Sequence, residues 1–566
     1  MKRILLFILV ASPFLSMNAQ AFDWAKSIGG TGTESVNAVA KNPTGIFITG
    51  TFQGTVDFNA GVGVNNLTSN GGTDCFILKT DFDGNYLWAI SFGGSGNDEA
   101  VSIVADNSGL ILGGHFFNTV DFNPGTGTNF STSNGSSDLF YLKLNNSGNY
   151  IYHKVIGGTG ADICNKVAFD NVLIPYLSGT YRNTVDFNPD AGVNNLTTTG
   201  ANAFVMKINP SNGGFIWVKD FNAINNGTAE SYASGLDFDS SGSIYVGGNY
   251  TGDVDFNPGV PEFANTSSGG TKDSFLVKLD NSGTFVWAAF LQNSNDNMIT
   301  DLVVDGDNNL VMVGNYKGII DFNPGSPFLF LDSDFREVTF IWKLDVNKNF
   351  IVAGRFESGG ANYSNAVEID VDNNIYIAGK FRGGMDLDIS NGSNVINSSN
   401  ATIHDAYLVK LNANNLGHIY SKQLASASSS EDEINEIMIN NSNIYTFGVY
   451  EGTIDLNPDP PFQNATSNGD YDFFIQRFTD NSLGTDDFST TNFKIYPNPT
   501  SNDLYIETFL ATDFKYQIIS IDGKVMQYGN GQLNNNPIDV SKLASGMYLL
   551  ELKSENQRTV QKFIKD

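Results

Sequence analysis

Cysteine and histidine are both scarce in this chain. Its 566 residues include two cysteines, Cys75 and Cys164, and four histidines. The cysteines occupy different positions in the non-adjacent first and third copies of the repeat described below. We therefore expect two isolated thiols rather than a disulfide, whose Cα atoms must lie within about 7 Å. The histidines are too scattered for a zinc site or a catalytic triad.

Basic residues are also few, with 31 lysines and arginines against 60 aspartates and glutamates, for a net charge of −29. Charged residues of all kinds make up only 16% of the chain. This balance disfavours nucleic acid and anionic membrane surfaces through long-range repulsion, and it also favours solubility. We expect no nucleic-acid partner.

Long apolar runs are absent after the first twenty residues. Lys2 and Arg3 precede the apolar run Ile4–Leu15, and small residues follow at Ala19 and Ala21. This pattern predicts a secretory signal peptide over residues 1–21. The run is too short to span a membrane, and no later segment approaches the roughly 18–20 apolar residues that a span requires. The sequence therefore predicts an exported protein without a membrane span.

A repeat dominates what remains. The pattern is Gly, any residue, Phe or Tyr, four more residues, then Asp, and it occurs seven times at intervals of 64 to 69 residues. The Gly/Asp pairs are Gly50/Asp57, Gly114/Asp121, Gly179/Asp186, Gly248/Asp255, Gly314/Asp321, Gly379/Asp386 and Gly448/Asp455. A repeat this regular indicates that each copy forms one structural unit. We expect each Gly to lie where backbones approach too closely for a side chain.

Each copy predicts four short strands. In the first copy they are Val36–Ala40, Ile46–Phe52, Cys75–Lys79 and Tyr86–Phe92, separated by polar turns and one long Gly/Asn/Thr-rich connection. The third strand is apolar on both faces, as in a sheet packed between two others. Four-stranded units of this kind are typical of β-propeller blades. We predict an all-β fold with a seven-bladed propeller over residues 22–480.

The fourth strand indicates how the propeller closes. A large residue marks this strand in six copies, but no fourth strand follows the seventh third strand at Phe474. The missing copy lies at the other end, where Phe22-Asp23-Trp24-Ala25 matches Phe285-Val286-Trp287-Ala288. We predict that the N-terminal strand completes the last blade, which would remove two sheet edges.

The repeated aspartates are interpreted as turn caps that accept backbone N–H bonds. Seven equivalent carboxylates spread around a ring cannot form one acid–base pair, so no catalytic residue is predicted. Calcium is the alternative, with Asp121 and Asn123 offering hard oxygen ligands, although Ca²⁺ takes six to eight oxygens. No other cofactor is expected.

A ligand site should lie where the copies differ most. The connection Ser326–Val338 of the fifth copy is the most divergent, with Phe328-Leu329-Phe330 and Arg336. The alternative for this segment is a loop packed over a neighbouring blade. The four histidines, His115, His153, His404 and His418, are interpreted as structural or solvated residues.

The composition changes near the C-terminus. A polar linker is predicted at residues 481–493, followed by short alternating strands over residues 494–566 that are typical of a small β-sandwich.

Two family resemblances follow from these motifs. Residues 22–480 resemble β-propeller repeats close to the SBBP type of exported Bacteroidetes proteins, on elements such as Asp121-Phe122-Asn123-Pro124. The sixth copy departs from this pattern at Asp386-Leu387-Asp388-Ile389, where both the Phe and the Pro are lost.

Residues 494–566 resemble the type A C-terminal sorting domain of the type IX secretion system. The resemblance rests on Ile495-Tyr496-Pro497-Asn498-Pro499-Thr500, Ile521-Asp522-Gly523-Lys524, Leu543-Ala544-Ser545-Gly546-Met547-Tyr548 and Lys562-Phe563-Ile564-Lys565-Asp566. It implies an immunoglobulin-like sandwich that engages the secretion machinery and directs the protein to the outer cell surface or beyond. The sorting residues it implies are Pro497, Asn498, Pro499, Gly523, Lys524, Gly546, Tyr548 and Lys562. In the family this domain is commonly removed, which leaves the cargo released or attached to surface lipopolysaccharide.

These observations together favour a non-catalytic binding or adhesion protein with a glycan or protein partner. The alternatives are an extracellular lyase or glycosidase with its site at the propeller mouth, and a passive surface spacer. A catalytic version should show a few close acids or histidines that break the repeat.

Overall fold

The computed structural model describes residues 20–224, 229–325, 327–390, 392–426, 431–459, 461–480, 493–508, 514–520, 524–531, 537–553 and 558–566. Two compact units divide the chain: the N-terminal unit, Gln20–Thr479, and the C-terminal unit, which includes Asp480–Asp566. Most of the predicted signal peptide and the predicted linker lie outside the described residues. Strands and one 3-10 turn, Ser268–Gly270, make up the regular structure of the described residues. The all-β prediction is confirmed.

The strands of the N-terminal unit form seven four-strand meanders, named here in chain order. Meander 1 contains β2 (Ser35–Asn42), β3 (Gly45–Phe52), β6 (Asp74–Thr80) and β7 (Tyr86–Phe92). Meander 2 contains β8 (Glu99–Asp106), β9 (Gly109–Phe116), β12 (Asp138–Asn145) and β13 (Tyr150–Ile156). Meander 3 contains β14 (Ile163–Phe169), β15 (Pro175–Asp186), β16 (Asn195–Ile208) and β17 (Phe215–Ala223). Meander 4 contains β18 (Glu230–Phe238), β19 (Ile244–Thr251), β22 (Asp273–Leu279) and β23 (Phe285–Leu291).

The remaining meanders follow the same order. Meander 5 contains β24 (Asn297–Val304), β25 (Leu310–Tyr316), β28 (Val338–Leu344) and β29 (Phe350–Arg355). Meander 6 contains β31 (Asn362–Ile369), β32 (Ile375–Phe381), β35 (Asp405–Leu411) and β36 (His418–Leu424). Meander 7 contains β37 (Asp432–Asn440), β38 (Asn443–Asp455), β39 (Asn464–Asp480) and β1 (Gln20–Ile28). A parallel bridge between Ala201 and Glu230 joins meanders 3 and 4 into one sheet.

Short ribbons extend the connection between the second and third strands. They are β4 (Thr55–Asp57) with β5 (Asn66–Thr68), β10 (Thr119–Asp121) with β11 (Phe130–Thr132), β20 (Asp253–Asp255) with β21 (Ala264–Thr266), β26 (Ile319–Asp321) with β27 (Phe330–Asp332), and β33 (Gly384–Asp386) with β30 (Glu357–Ser358) and β34 (Val395–Asn397). In meanders 3 and 7 the same ribbon continues directly from the long strands.

The N-terminal strand β1 lies beside β39, at the position where the repeat lacks a fourth strand. It begins at Gln20, two residues before the predicted start of the propeller. The Asp23 carboxylate pairs with Arg477 at 3.0 Å, and the Arg477 guanidinium lies over the Trp24 ring at 5.5 Å. A side chain on Gly84 of meander 1 would lie only 2.5 Å from Trp24. Trp24 thus connects meander 7 to meander 1, much as Trp88 contacts Gly148 in the next meander.

The first strands of the meanders contact one another in an order that closes on itself. The contacting pairs are β2 with β8, β8 with β14, β14 with β18, β18 with β24, β24 with β31, β31 with β37, and β37 with β2. Apolar clusters fill the spaces between successive meanders. The cluster between meanders 7 and 1 includes a stacked pair of rings, Phe76 and Phe473, with centroids 5.3 Å apart.

A β-bulge in each first strand explains the repeated glycines. The bulge brings a first-strand carbonyl so close to the glycine that a Cβ there would lie 1.8–2.1 Å from it, in all seven copies. In every meander except meander 2, where the bulged residue is Val101, the side chain of the bulged residue hydrogen-bonds the next meander. Asn37 donates to the Ala100 carbonyl at 3.0 Å, and Asn435 donates to the Val36 carbonyl at 2.9 Å, which links the last meander to the first. The glycine leaves room for the bulge, and the bulge in turn helps to hold neighbouring first strands together.

In meanders 2, 4, 5 and 6 the lysine of the third strand is held in a buried ion pair with the turn between the first two strands. The pairs are Lys143–Asp106 at 3.6 Å, Lys278–Asp239 at 3.3 Å, Lys343–Asp305 at 2.9 Å and Lys410–Asp370 at 2.9 Å. Each lysine thus ties the third strand to the first hairpin of its own meander.

The C-terminal unit contains two sheets. One contains β40 (Phe493–Tyr496), β41 (Asp503–Thr508) and β44 (Ile538–Asp539). The other contains β43 (Val525–Gly531), β42 (Phe514–Ser520), β45 (Gly546–Lys553) and β46 (Arg558–Lys565). Leu504 of the first sheet and Ile518, Leu550 and Phe563 of the second belong to one buried cluster. The two sheets therefore share a core.

Candidate ligand-binding cleft

The repeated aspartates form one kind of turn throughout the N-terminal unit. In all seven copies the Oδ1 atom accepts the backbone N–H two residues later at 2.9–3.1 Å and the N–H eight residues later at 2.7–2.9 Å. One carboxylate therefore closes both ends of the connecting loop. The aspartates lie on separate loops and do not converge.

The two residues of the calcium hypothesis are engaged in this turn. Asp121 Oδ1 accepts from the N–H groups of Asn123 and Asn129, and Asn123 Oδ1 accepts from the N–H of Gly125 at 3.0 Å. Within the described part of the chain, no group of three or more histidine, cysteine, aspartate or glutamate residues is arranged to hold a metal ion.

The four histidines belong to two meanders, His115 and His153 to meander 2 and His404 and His418 to meander 6. His153 bonds Ser131 and Tyr150 and stacks on Phe122, and His418 bonds Asn394. His115 lies 3.7 Å from Glu99, and His404 lies 3.0 Å from Glu431. Both cysteines are buried free thiols.

Those predicted sorting residues that the structure describes lie in β45 and β46 and directly beside β40 and β43. Asn498, between Pro497 and Pro499, accepts from the Ile564 N–H at 2.9 Å and donates to the Lys562 carbonyl at 3.2 Å. The Tyr548 hydroxyl donates to the Ala544 carbonyl, and the Tyr548 ring stacks on Phe563. Gly546 begins β45, and the Lys524 carbonyl accepts from Ser520 N–H. Gly523 lies outside the described residues.

The divergent loop of the fifth copy lines a cleft of about 880 Å³ between meanders 4 and 5. Phe328 and Leu329 lie in its lining, whereas Phe330 lines a smaller cavity of about 370 Å³ beside meander 6. Arg336 pairs with Asp334 at 2.8 Å and is not a lining residue of either cavity. Ser326 lies outside the described residues.

The cleft arises because two facing positions are both small. The first position lies on the fourth strand of each meander, and only meanders 4 and 5 have a small residue there. In meanders 1 to 6 the strand register places at this position Ile90, Lys154, Lys219, Ala289, Gly354 and Lys422. The other lies on the loop of the following meander. Lys154 pairs with Asp190 at 2.6 Å, and Lys422 pairs with Asp459 at 2.6 Å, so these junctions are closed by a clamp.

At the junction of meanders 5 and 6 the small residue is compensated only in part, and the cavity of about 370 Å³ remains beside it. Gly354 faces Ile389, whose side chain would lie 2.3 Å from a Cβ on the glycine. Between meanders 4 and 5, by contrast, Ala289 faces Pro324 and Gly325. Neither side fills the gap, and the cleft stays open.

Aromatic rings and amides line the cleft. Trp342 is buried, and its Nε1 donates to the Phe322 carbonyl at 2.9 Å. The Phe328 side chain is 65% exposed, so its ring is available to a ligand. Gln292 and Asn349 use their side-chain nitrogens for internal hydrogen bonds. A concave site with exposed ring faces and a few polar groups can bind a small or extended ligand.

A second feature lies where the first strands of meanders 7 and 1 begin. A cavity of about 190 Å³, called here the mouth pocket, is lined by Glu34, Lys380, Glu431, Asp432 and Glu433 among others. Burial raises the pKa of Asp432 to about 8 and that of Glu34 to about 7. Lys380 pairs with Glu433 at 2.9 Å. This pocket was not predicted from the sequence, because Glu34 and Asp432 occupy a repeat position that is polar in every copy.

The first strands of all seven meanders line an internal cavity of about 390 Å³, called here the channel. Lys166 of meander 3 reaches Asp301 of meander 5 at 3.1 Å. Burial raises the pKa of Glu436 to about 8 and that of Glu368 to about 7. The channel therefore holds one ion pair and several carboxyl groups that resist ionisation.

Comparison with known families identifies the C-terminal unit. Residues 494–566 match the family model described as the secretion system C-terminal sorting domain. The sorting-domain prediction is confirmed, and the protein is exported by type IX secretion to the cell surface or extracellular space. Among the described residues, no helix is long and apolar enough to cross a membrane.

Similarity outside that domain is limited. A WD repeat-containing protein of Acanthamoeba polyphaga mimivirus is 25% identical over 312 residues, which cover 45% of this chain. The match spans only 22% of that relative's length.

Two solved structures align with most of the chain. The extracellular domain of a hybrid two-component system from B. thetaiotaomicron is 12% identical, with 97% of this chain and 99% of that chain covered and a TM-score of 0.18. A GH43_12 protein from a capybara gut metagenome is 10% identical, with 97% and 95% covered and a TM-score of 0.23. Scores this low support no conclusion about fold or function.

Proposed function

We propose that this protein, which type IX secretion carries out of the cell, is a non-catalytic binding module built on a seven-bladed β-propeller. Its C-terminal unit would be an immunoglobulin-like sorting sandwich. The propeller is supported by the first-strand contacts that return from β37 to β2 and by the position of β1 beside β39. The partial match to a WD repeat-containing protein agrees with it, since WD repeats form propeller blades. The SBBP-type resemblance of the repeats belongs to the same proposal.

The binding site of this proposal is the cleft between meanders 4 and 5, and its ligand is a glycan or a protein segment. The observation that carries the proposal is the pair of small residues, Ala289 and Gly325, at positions where a lysine–aspartate pair closes the junctions of meanders 2 and 3 and of meanders 6 and 7. The alternative explanation is a chance substitution in a packed interface, but such a substitution leaves a cavity that lowers the stability of the fold. An open cleft with an exposed Phe328 is better explained by a ligand.

The chemistry of the cleft favours binding over catalysis. Its described lining contains no aspartate, glutamate or histidine that could transfer a proton. Exposed rings and amide groups hold a ligand through contact area and hydrogen bonds rather than through proton transfer.

A clamp grafted from another junction tests the site. The double variant Ala289→Lys, Gly325→Asp should reproduce the Lys154–Asp190 pair and close the cleft. The matched control is Ile90→Lys, Gly125→Asp, the same substitutions at the corresponding positions of meanders 1 and 2. Full-length wild-type and variant proteins would be screened against glycan and extracellular-protein arrays, with Tm measured for each. We expect the closing variant to lose at least about tenfold in affinity while the control keeps it. Ligands that bind both variants equally well would place the site elsewhere.

The mouth pocket supports the alternative of an extracellular hydrolase or lyase. Asp432 is fully buried, and one of its carboxyl oxygens has no hydrogen-bond partner among the described residues. Its raised pKa would keep the carboxyl group protonated near neutral pH, as a general acid requires. Release of reducing sugar or unsaturated product from polysaccharides, abolished by Asp432→Asn, would favour this alternative. Activity unchanged by that substitution would remove its basis.

A further inference from the structure

Lys348 is an unusual residue at the edge of the cleft. It lies in the turn between the third and fourth strands of meander 5, with φ of +71°. The corresponding residues of meanders 1 to 4 are glycines with positive φ: Gly84, Gly148, Gly213 and Gly283. A residue with a side chain is strained in this backbone region, whereas glycine is not. Lysine at this position therefore indicates that its side chain contributes something the turn itself does not need.

The Lys348 side chain crosses the junction. Its Nζ donates to the Ala288 carbonyl of β23 at 3.1 Å, and both residues line the cleft. An ammonium group has three donors. Among the described residues, no carboxylate forms an ion pair with Lys348, since the nearby Asp345 is engaged by Asn347 and Asn349. Two donors and a full positive charge thus remain for a ligand.

The charge of the cleft differs from that of the chain. The protein carries 60 acidic residues and a net charge of −29, yet none of the described lining residues is acidic and Lys348 alone is charged. Anionic groups are repelled by most of this molecule at long range. The cleft offers them a local exception, with a cation beside an exposed ring.

The remaining polar groups suit a hydroxyl-rich ligand. The side-chain oxygens of Gln292 and Asn349 take no hydrogen bond from any described residue, so both can accept from hydroxyl groups. Phe328 offers an exposed face, and the Phe350 ring lies half-buried in the same lining. Sugar rings present hydroxyls at their edges and C–H groups on their faces, which matches this combination.

We propose that the cleft binds an acidic saccharide, whose carboxylate or sulfate pairs with Lys348 while a sugar ring lies against Phe328. This inference rests on the proposed function, because it names the ligand class of the same cleft. Charge-assisted hydrogen bonds are about twice as strong as neutral ones. The charge should therefore decide between otherwise similar glycans.

Paired ligands that differ only in charge provide the test. The probes are galacturonic acid oligosaccharides with their methyl esters, and sulfated galactan oligosaccharides with their desulfated parents. Titration calorimetry would compare the wild-type full-length protein with Lys348→Gly, which restores the residue of four other meanders and should fold at least as well. The control is Asn441→Gly, a change to glycine at an exposed turn residue of meander 7 that also has positive φ.

We expect at least one acidic member to bind about tenfold more tightly than its neutral partner, and Lys348→Gly, but not Asn441→Gly, to abolish that preference. Equal binding of acidic and neutral members, or a preference that survives Lys348→Gly, would overturn the acidic-saccharide proposal and leave glycan binding intact. Absence of binding by every member of both pairs would also overturn it. The proposed function would fail only if the wider arrays gave no ligand sensitive to the closing variant.

Discussion

Replacing Glu436 with glutamine should make the N-terminal unit more stable at alkaline pH. Glu436 lies in the channel, and burial raises its pKa from 4.5 to about 8, with Lys166 opposing the shift and Asp301 adding to it. Between these two values the folded protein holds a proton that the unfolded chain has released. The contribution of this group to stability is therefore fully present below about pH 4.5 and is lost as the pH rises through about 8.

The magnitude follows from the size of the shift. A change from 4.5 to about 8 sets an upper limit of roughly 5 kcal/mol, at about 1.4 kcal/mol for each pKa unit. Because Glu436 is only partly buried in the channel, solvent screening reduces the expected effect to about 1–3 kcal/mol. Glutamine keeps the shape of the protonated side chain and cannot ionise.

Urea unfolding followed by circular dichroism at about pH 5.5 and about pH 8.5 measures the effect. We expect Glu436→Gln to exceed wild type in unfolding free energy by about 1–3 kcal/mol at the higher pH and by much less at the lower pH. The control is Glu262→Gln on an exposed loop, which should match wild type at both values. A variant-minus-wild-type difference that does not grow with pH would refute the reasoning.

Three further changes test other parts of the structure. Trp24→Ala should lower the free energy of unfolding by about 2–3 kcal/mol, because Trp24 packs against Gly84 of meander 1; a loss under about 0.5 kcal/mol in urea unfolding would contradict the junction described here. Asp121→Ala should cost about 1–2 kcal/mol through two lost backbone hydrogen bonds, equally in Ca²⁺ and in EDTA; a loss seen only with Ca²⁺ would indicate a bound ion. Deleting residues 494–566 should leave the protein inside the cell in fractionation experiments, and unchanged delivery outside would contradict the sorting role.

Much of the fold could be predicted from the sequence, because residues close together in the chain carry the pattern of the repeat. The Gly-to-Asp spacing placed every turn cap, and the match of Trp24 to Trp287 indicated the position of β1. The bulge behind each glycine was not predicted, since a bulge depends on pairing between strands rather than on the order of residues in one strand. In the C-terminal unit, β40 and β44 contain too few residues for an alternating pattern to indicate them.

The candidate cleft was predicted only in part. Phe328 and Leu329 stood out as a divergence in the repeat, but the opening itself results from Ala289, which lies 36 positions before Gly325 in the sequence. The small residues at these two positions indicate an opening only when the strand register shows that they face each other. The same holds for Lys166 and Asp301, which pair across the channel from meanders that are not neighbours.

Hydrogen exchange with and without bound oligosaccharide tests the central claim most directly. An acidic oligosaccharide from the arrays, added to the full-length protein at saturation, should slow exchange within residues 288–292, 322–325, 327–329 and 342–350, the segments that contain the cleft lining. The Ala289→Lys, Gly325→Asp variant should show no such protection. Protection from exchange only at the mouth pocket around Asp432, or no protection at the residues of any cavity, would contradict the account.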